Sequence, residues 1–335
     1  PTAINKVGDI DPIQLDAQGQ EHRHHHIKTR NLNSKGDAIS ARVPLFFNSD
    51  VILSKAIADD SMKYLYRNGH HDECLFVHGG KGTLRTNFGS LGISQGDYAI
   101  IPRGVIWQLD VKESLELLIA ETVGPIQTPD RYRNELGQLL EHAPYSERDL
   151  RTPILDSPIL GGPIQVKVRL IQGIQSYEYQ HHPFDVVGWD GYYYPWVFNV
   201  NDFMPITGKV HQPPPVHQVF EAPGLVICNF VPRLFDYHPE AVPAPYAHSN
   251  VDSDEILYYV SGDFMSRKGM EAGSITYHPA GLPHGPQPGK IEASLDLNEA
   301  NEIAIMIDTF KPLKITTNVI EIDDSHYPLS WLDNS

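Results

Sequence analysis

A chain of 335 residues is long enough for two domains or one large all-β unit, and it can bury a core without disulfides. Its 42 acidic against 26 basic residues give a net charge of −16, which excludes a general polyanion binder and argues against nucleic acid as a partner. Cys74 and Cys228, each inside an apolar run, exclude a disulfide framework and point to a reducing, cytoplasmic setting; no apolar stretch is long enough to span a membrane, and no charged-then-apolar leader opens the chain.

Abundant Gly and Pro, 26 and 27, together with 16 Tyr, predict many strands and tight turns. Residues 1–60 hold strand-like pieces such as 41–47 (ARVPLFF). The cluster at 22–26 (HRHHH) reads as a solvated surface turn or arm rather than a metal or phosphate patch. From Met62 a barrel grammar begins. Strands at 63–67, 73–78, 82–86 and 96–101 are divided by Gly79-Gly80, Asn87-Phe88-Gly89 and Pro102-Arg103-Gly104. His70, His71 and Glu73 read as surface residues at a turn. A helix is predicted over 128–141, with Thr128 as N-cap, Pro129 at the first helical position, and Leu136, Leu139 and Leu140 as its apolar stripe. Residues 142–160 read as a connection. The β pattern resumes at 164–170 and continues to about residue 320. Within it, Tyr192, Tyr193, Tyr194 and Trp196 read as a packed aromatic strand. His217 ends a rigid polyproline segment.

The chemistry lies in the last third. His248 precedes Glu255, which opens the apolar run 256–260; a turn, a strand at 274–278 and a second turn lead to His284. Two histidines and one carboxylate are the ligand set of a facial triad, which leaves coordination positions open for substrate and O₂. Early ligands on one hairpin and a late one on a neighbouring strand is how a small barrel aims three side chains at one interior point. Asp254, beside Glu255, is a rival ligand. The first half echoes this arrangement around His70–Glu73, but where the second half reaches His284 it reads Val105-Ile106-Trp107-Gln108. It is therefore expected to carry no metal.

These residues resemble the cupin superfamily and, more closely, the homogentisate 1,2-dioxygenase family. The shared phrases are FVHGGKGTLRTNFGSLGISQGDYAIIPRG, HPFDVVGWDGYYYPWVFNVNDFMPITG, HQPPPVHQ and the HSNVDSDE…PHGP pair. The resemblance implies an all-β bicupin: two double-stranded β-helix barrels with a few short helices. Residues 1–150 would form a barrel without metal, and 151–335 a barrel carrying Fe(II) on His248, Glu255 and His284. It further implies a catalytic acid–base or substrate-orienting role for His211, and substrate contacts at Asn250 and His278. A family tyrosine expected shortly after the ligand carboxylate is replaced by Phe264, with Tyr258 and Tyr259 as substitutes. The spacing from His248 to Glu255 is one residue longer than in the better-known members. The implied reaction is conversion of homogentisate and O₂ to maleylacetoacetate in tyrosine and phenylalanine catabolism. A small aromatic substrate, a homo-oligomer (trimer or hexamer), no nucleic acid and no membrane complete the expectation. A related hydroquinone or gentisate-like substrate, or a metal-binding cupin that is not an oxygenase, stays open.

Overall fold

Strands account for almost all regular structure, because short β-branched and aromatic runs alternate with Gly/Pro turns. The computed structural model describes residues 3–17, 19, 21–32, 34–209 and 214–332. Among them the single α-helix is Lys290–Ser294, accompanied by short 3₁₀ turns. Among the described residues no helix is long and apolar enough to cross a membrane.

The chain divides into two compact units that interleave along the sequence. The first comprises Pro1–Asp16, Asn33–Ile126 and Glu147–Asn199; the second comprises Ala17–Leu32, Gln127–Ser146 and Val200–Ser335. A cut at 150/151 therefore does not match the compact units. Residues 151–199 supply strands Ile164–Arg169, Gly173–Tyr179 and Trp196–Asn199 to the first unit's sheet.

That first sheet is organised by two long strands, Asp72–Thr86 and Trp107–Thr122, which pair antiparallel. Alternate residues Leu75, Val77, Leu115, Leu117 and Ile119 fill the core with Trp107. The register slips near Gly80, whose φ is +85° and where a Cβ would strike the Ser114 carbonyl. Only glycine fits that bulge.

In the second unit six strands form one sheet: β1 (His25–Ile27), β2 (Gln218–Ala222), β3 (Leu225–Phe230), β4 (Asp254–Gly262), β5 (Ile275–His278) and β6 (Glu302–Thr309). Their spatial order is β2-β3-β6-β4-β5-β1. The register across β4 and β6 sets Glu255 opposite Asp308, Leu257 opposite Met306 and Tyr259 opposite Ala304.

Several local expectations give way to tertiary structure. Over 128–141 there is no α-helix, only a 3₁₀ turn at Asp130–Tyr132. The Asn134 side chain accepts from the N–H groups of Leu136 and Gln138, and Gly137 takes φ +84°. This tight turn competes with helix, because the short amide offers the backbone its own partner. Leu136, assigned to the apolar stripe, is 85 % exposed. The aromatic run likewise is no packed strand: only Trp196–Asn199 is extended, and Tyr192 and Tyr193 are exposed.

Candidate metal centre

His248 and His284 face each other across a two-residue antiparallel bridge. Each N–H donates to the other's carbonyl, at 2.8 and 2.7 Å. Residues paired in this way project on the same side, and the two imidazoles stand edge to face with centroids 4.4 Å apart. In both rings Nδ1 lies 3.0 Å from a backbone carbonyl, that of Tyr246 for His248 and of Leu282 for His284. Nδ1 is thereby the donor and Nε2 the free lone pair, the tautomer a metal requires.

The third member comes from β4. Strand alternation sends Glu255, Leu257 and Tyr259 to one face, and all three line the cavity that contains both histidines. One ligand atom from each of His248, Glu255 and His284 lies within 4.8 Å of the others. The His284 Nε2 atom is buried without a hydrogen-bond partner, and it sits 3.5 Å from Glu255 Oε1. A buried polar atom left unpaired is costly unless something else fills the site. Two imine lone pairs and one carboxylate converging on a single point are what a divalent transition ion takes.

Asp254 points the other way and is fully used there. Its carboxylate accepts from Tyr277 Oη at 2.8 Å, Ala280 N at 2.8 Å and Leu313 N at 2.7 Å. It closes the barrel wall, and Glu255 faces the cavity. We expect Asp254→Asn to keep its full metal content while losing about 2 kcal/mol of stability, since hydrogen bonds to a charged group contribute about 1.5–3 kcal/mol. Metal analysis and thermal melting check this; loss of metal with an unchanged melt would reverse the assignment of the two carboxylates.

His278 holds Glu255 from behind. It lies directly opposite Glu255 on β5, and its Nδ1 is 2.7 Å from Glu255 Oε1. Burial pushes the His278 imidazole down to about 3, so it is neutral and Nδ1–H donates to the carboxylate. Burial works to raise Glu255, but the contacts from His278 and His284 outweigh it and hold that carboxyl well below its usual range. Tyr327 Oη lies 3.4 Å from His278 Nε2 and accepts from Arg267 Nε at 3.1 Å.

The remaining site residues separate cleanly. Asn250 lines the cavity, with Nδ2 3.5 Å from Glu255 Oε2. Tyr259 also lines it. His278, expected to contact substrate, is fully buried, is not a cavity residue and supports the ligand instead. Tyr258, expected to do likewise, is fully buried on the opposite face of β4, because a one-residue step along a strand reverses direction. Phe264 meets Tyr259 edge to face, with centroids 4.7 Å apart, and does not reach the cavity. His211, expected to be catalytic, lies outside the described residues.

Sequence reasoning also missed several residues. His25 and His26 are not a solvated arm: each is 3 % exposed, on β1 beside β5. His24 reaches the carbonyl of Pro283, next to the candidate ligand His284. His217 is a wall residue of the cavity, its ring 4.9 Å from Phe230. Arg267 is 5 % exposed and lines the cavity. Its guanidinium donates to Tyr327 Oη and to the carbonyls of Ser266 and Gly285, with no carboxylate within ion-pair distance among the described residues. A residue C-terminal to a strand, with no motif around it, gives no sequence signal for this role. Asp308 faces the cavity from β6; burial and the nearby charges of Glu255 and Asp252 push its carboxyl up to about 8.

The whole cavity, about 1130 Å³, is built by second-unit residues.

Comparison with known proteins follows the same lines. A family model described as "Homogentisate 1,2-dioxygenase N-terminal" matches residues 47–200. A protein of Saccharolobus solfataricus, described as a candidate dioxygenase, is 44 % identical over 335 residues, covering 99 % of this chain and 87 % of its own length. Homogentisate 1,2-dioxygenase of Legionella pneumophila is 29 % identical, over 74 % of this chain and 62 % of its length. That of Pseudomonas putida is 25 % identical, over 79 % and 63 %. The chain thus spans under two thirds of the length of these two homogentisate dioxygenases.

Proposed function

From the premise that the chain belongs to the homogentisate 1,2-dioxygenase family of the cupin superfamily, we propose that it is an Fe(II)-dependent ring-cleaving dioxygenase acting on homogentisate to give maleylacetoacetate. The observation that carries this reading is the convergence of His248, ionised Glu255 and the unpartnered Nε2 of His284 at one end of a large cavity. Iron bound there would act as a Lewis acid toward a ring hydroxyl and offer a place for O₂. The chain's own residues supply the rest. Leu257 and Met306, facing partners on β4 and β6, give an apolar wall for the ring. Arg267, buried without a carboxylate, is the complement of the substrate's acetate arm. His278 keeps Glu255 ionised and oriented, as outer hydrogen bonds to metal ligands do.

His211, at the family's substrate-facing histidine, would take or hold the proton of the second hydroxyl. We expect His211→Ala to keep its iron and lose about 10²–10⁴-fold in turnover, the usual contribution of a positioned acid–base group. Iron content and oxygen uptake on homogentisate, measured together, test this; normal turnover would leave His211 a structural residue.

A cavity of about 1130 Å³ exceeds what a single ring needs and favours, as a second reading, a bulkier hydroquinone acid. Oxygen uptake by anaerobically purified, iron-loaded protein across a panel of hydroquinone and gentisate-type acids separates the two. Cleavage of homogentisate with the highest kcat/KM is expected. Bound zinc and no uptake on any ring would make the protein a metal-binding cupin of another kind. The small aromatic acid and O₂ are the partners this reading requires, in the cytoplasm; sedimentation of the purified chain tests the expected oligomer.

A further inference from the structure

Among the described residues, the buried polar atoms of the cavity without a hydrogen-bond partner include His284 Nε2 and Asp308 Oδ1. The metal accounts for the first. The second needs another explanation, because Asp308 belongs to no group able to hold an ion among the described residues. It stands on β6 directly opposite Glu255 on β4, and the ladder of cavity-facing pairs continues through Leu257 with Met306 and Tyr259 with Ala304. Cross-strand pairs of this kind set their Cβ atoms about 5 Å apart on the same face. The Asp308 carboxyl therefore lies within the span of one aromatic ring from the metal ligands. In either protonation state a carboxyl keeps an acceptor oxygen.

We propose that Asp308 is a specificity-determining residue that accepts a hydrogen bond from the ring hydroxyl not turned to the metal. The assignment rests on the ring-cleaving reading above and extends it. A dihydroxylated ring that gives one oxygen to the metal keeps one donor, which meets Oδ1 in the resting complex; His211 takes or holds that proton only during turnover. An acceptor left unmet without ligand and met with it discriminates strongly against rings missing that hydroxyl.

The test compares ligands under anaerobic conditions, by titration calorimetry on iron-loaded protein, so that no turnover is needed. The probes are homogentisate, 2-hydroxyphenylacetate and 3-hydroxyphenylacetate. Wild type is expected to bind homogentisate about tenfold more tightly than the better monohydroxy acid. In Asp308→Ala that preference should collapse to about unity by weakening homogentisate alone, and Asp308→Asn, which keeps an acceptor, should restore most of it. Thermal melting supplies an independent readout. Removing a buried, unpartnered carboxyl should leave the melting temperature unchanged or raised, whereas a structural carboxyl would lower it. Equal weakening of all three ligands, or a lowered melt with the preference intact, would overturn the assignment of Asp308 alone. Wild type that binds none of the three would overturn the substrate reading, and this assignment with it.

Discussion

Replacing His284 by alanine is expected to take the iron content of anaerobically purified protein from roughly one atom per chain to near zero and to abolish oxygen uptake, because two remaining ligands do not hold a labile divalent ion. The backbone bridge to His248 uses main-chain atoms and survives the substitution, so the fold is kept. The loss is therefore one of coordination rather than of structure, and circular dichroism should match wild type. Full retention of metal in His284→Ala, or about two irons per wild-type chain, would mean that a second site exists. Among the described residues His248, Glu255 and His284 are the one group of side chains arranged to hold an ion.

The second large effect belongs to the first unit. Glu73 occupies the place in its barrel pattern that Glu255 occupies in the second, and it is fully buried. Its carboxylate receives Arg42 Nη1 at 2.6 Å, Trp107 Nε1 at 3.1 Å and Tyr66 Oη at 3.3 Å. Arg42 also lies over the rings of Tyr66 and Trp107, 5.4 and 5.9 Å from their centroids. A guanidinium and an indole thus fill the position where the other unit gathers its three candidate ligands. Glu73→Gln leaves the buried Arg42 charge without its closest counter-ion, Glu121 standing 3.8 Å away. Breaking a buried pair from one side costs about 3–5 kcal/mol. Calorimetry should show one unfolding transition moved down by many degrees, with the iron content unchanged. The double variant Arg42→Met/Glu73→Leu should recover most of the loss, because apolar replacement of both partners removes the uncompensated charge. A single variant that melts like wild type would show the pair to be dispensable.

How far the sequence carries depends on which interactions decide each element. The clustering of His248, Glu255 and His284 was legible because strand alternation and turn spacing are local; alternation left one of Glu255 and Asp254 to face inward, and the hydrogen bonds of Asp254 decide which. The strands of 62–104 were legible in part for the same reason: Asn87-Phe88-Gly89 and Pro102-Arg103-Gly104 do end strands, whereas Gly79-Gly80, read as a turn, is a bulge inside the continuous strand Asp72–Thr86. Residues 128–141 were not, because a single side chain, Asn134, outweighed a convincing leucine stripe. His25 and His26 looked solvated because nothing in a run of five basic and imidazole residues reveals that β5 offers it an open edge. Tyr258 and Tyr259 shared one expectation although neighbouring strand residues face opposite sides. Arg267 and Asp308 acquire their meaning only from what surrounds them in space.

The β1 pairing also fixes a sequence of events. His25 lies 2.7 Å from Asp323, 298 residues later, and β1 closes the sheet beside β5. Contacts of such separation form late, since the intervening chain must be ordered before they compensate its loop entropy. On the ribosome, residues 17–32 emerge well before their partners at 275–331. The first unit's long hairpin, complete by residue 126, has all its strands present well before then. The unit carrying the candidate metal site is consequently closed only after the first unit's hairpin is made, and until β5 arrives, β1 waits as an unclaimed strand carrying two histidines.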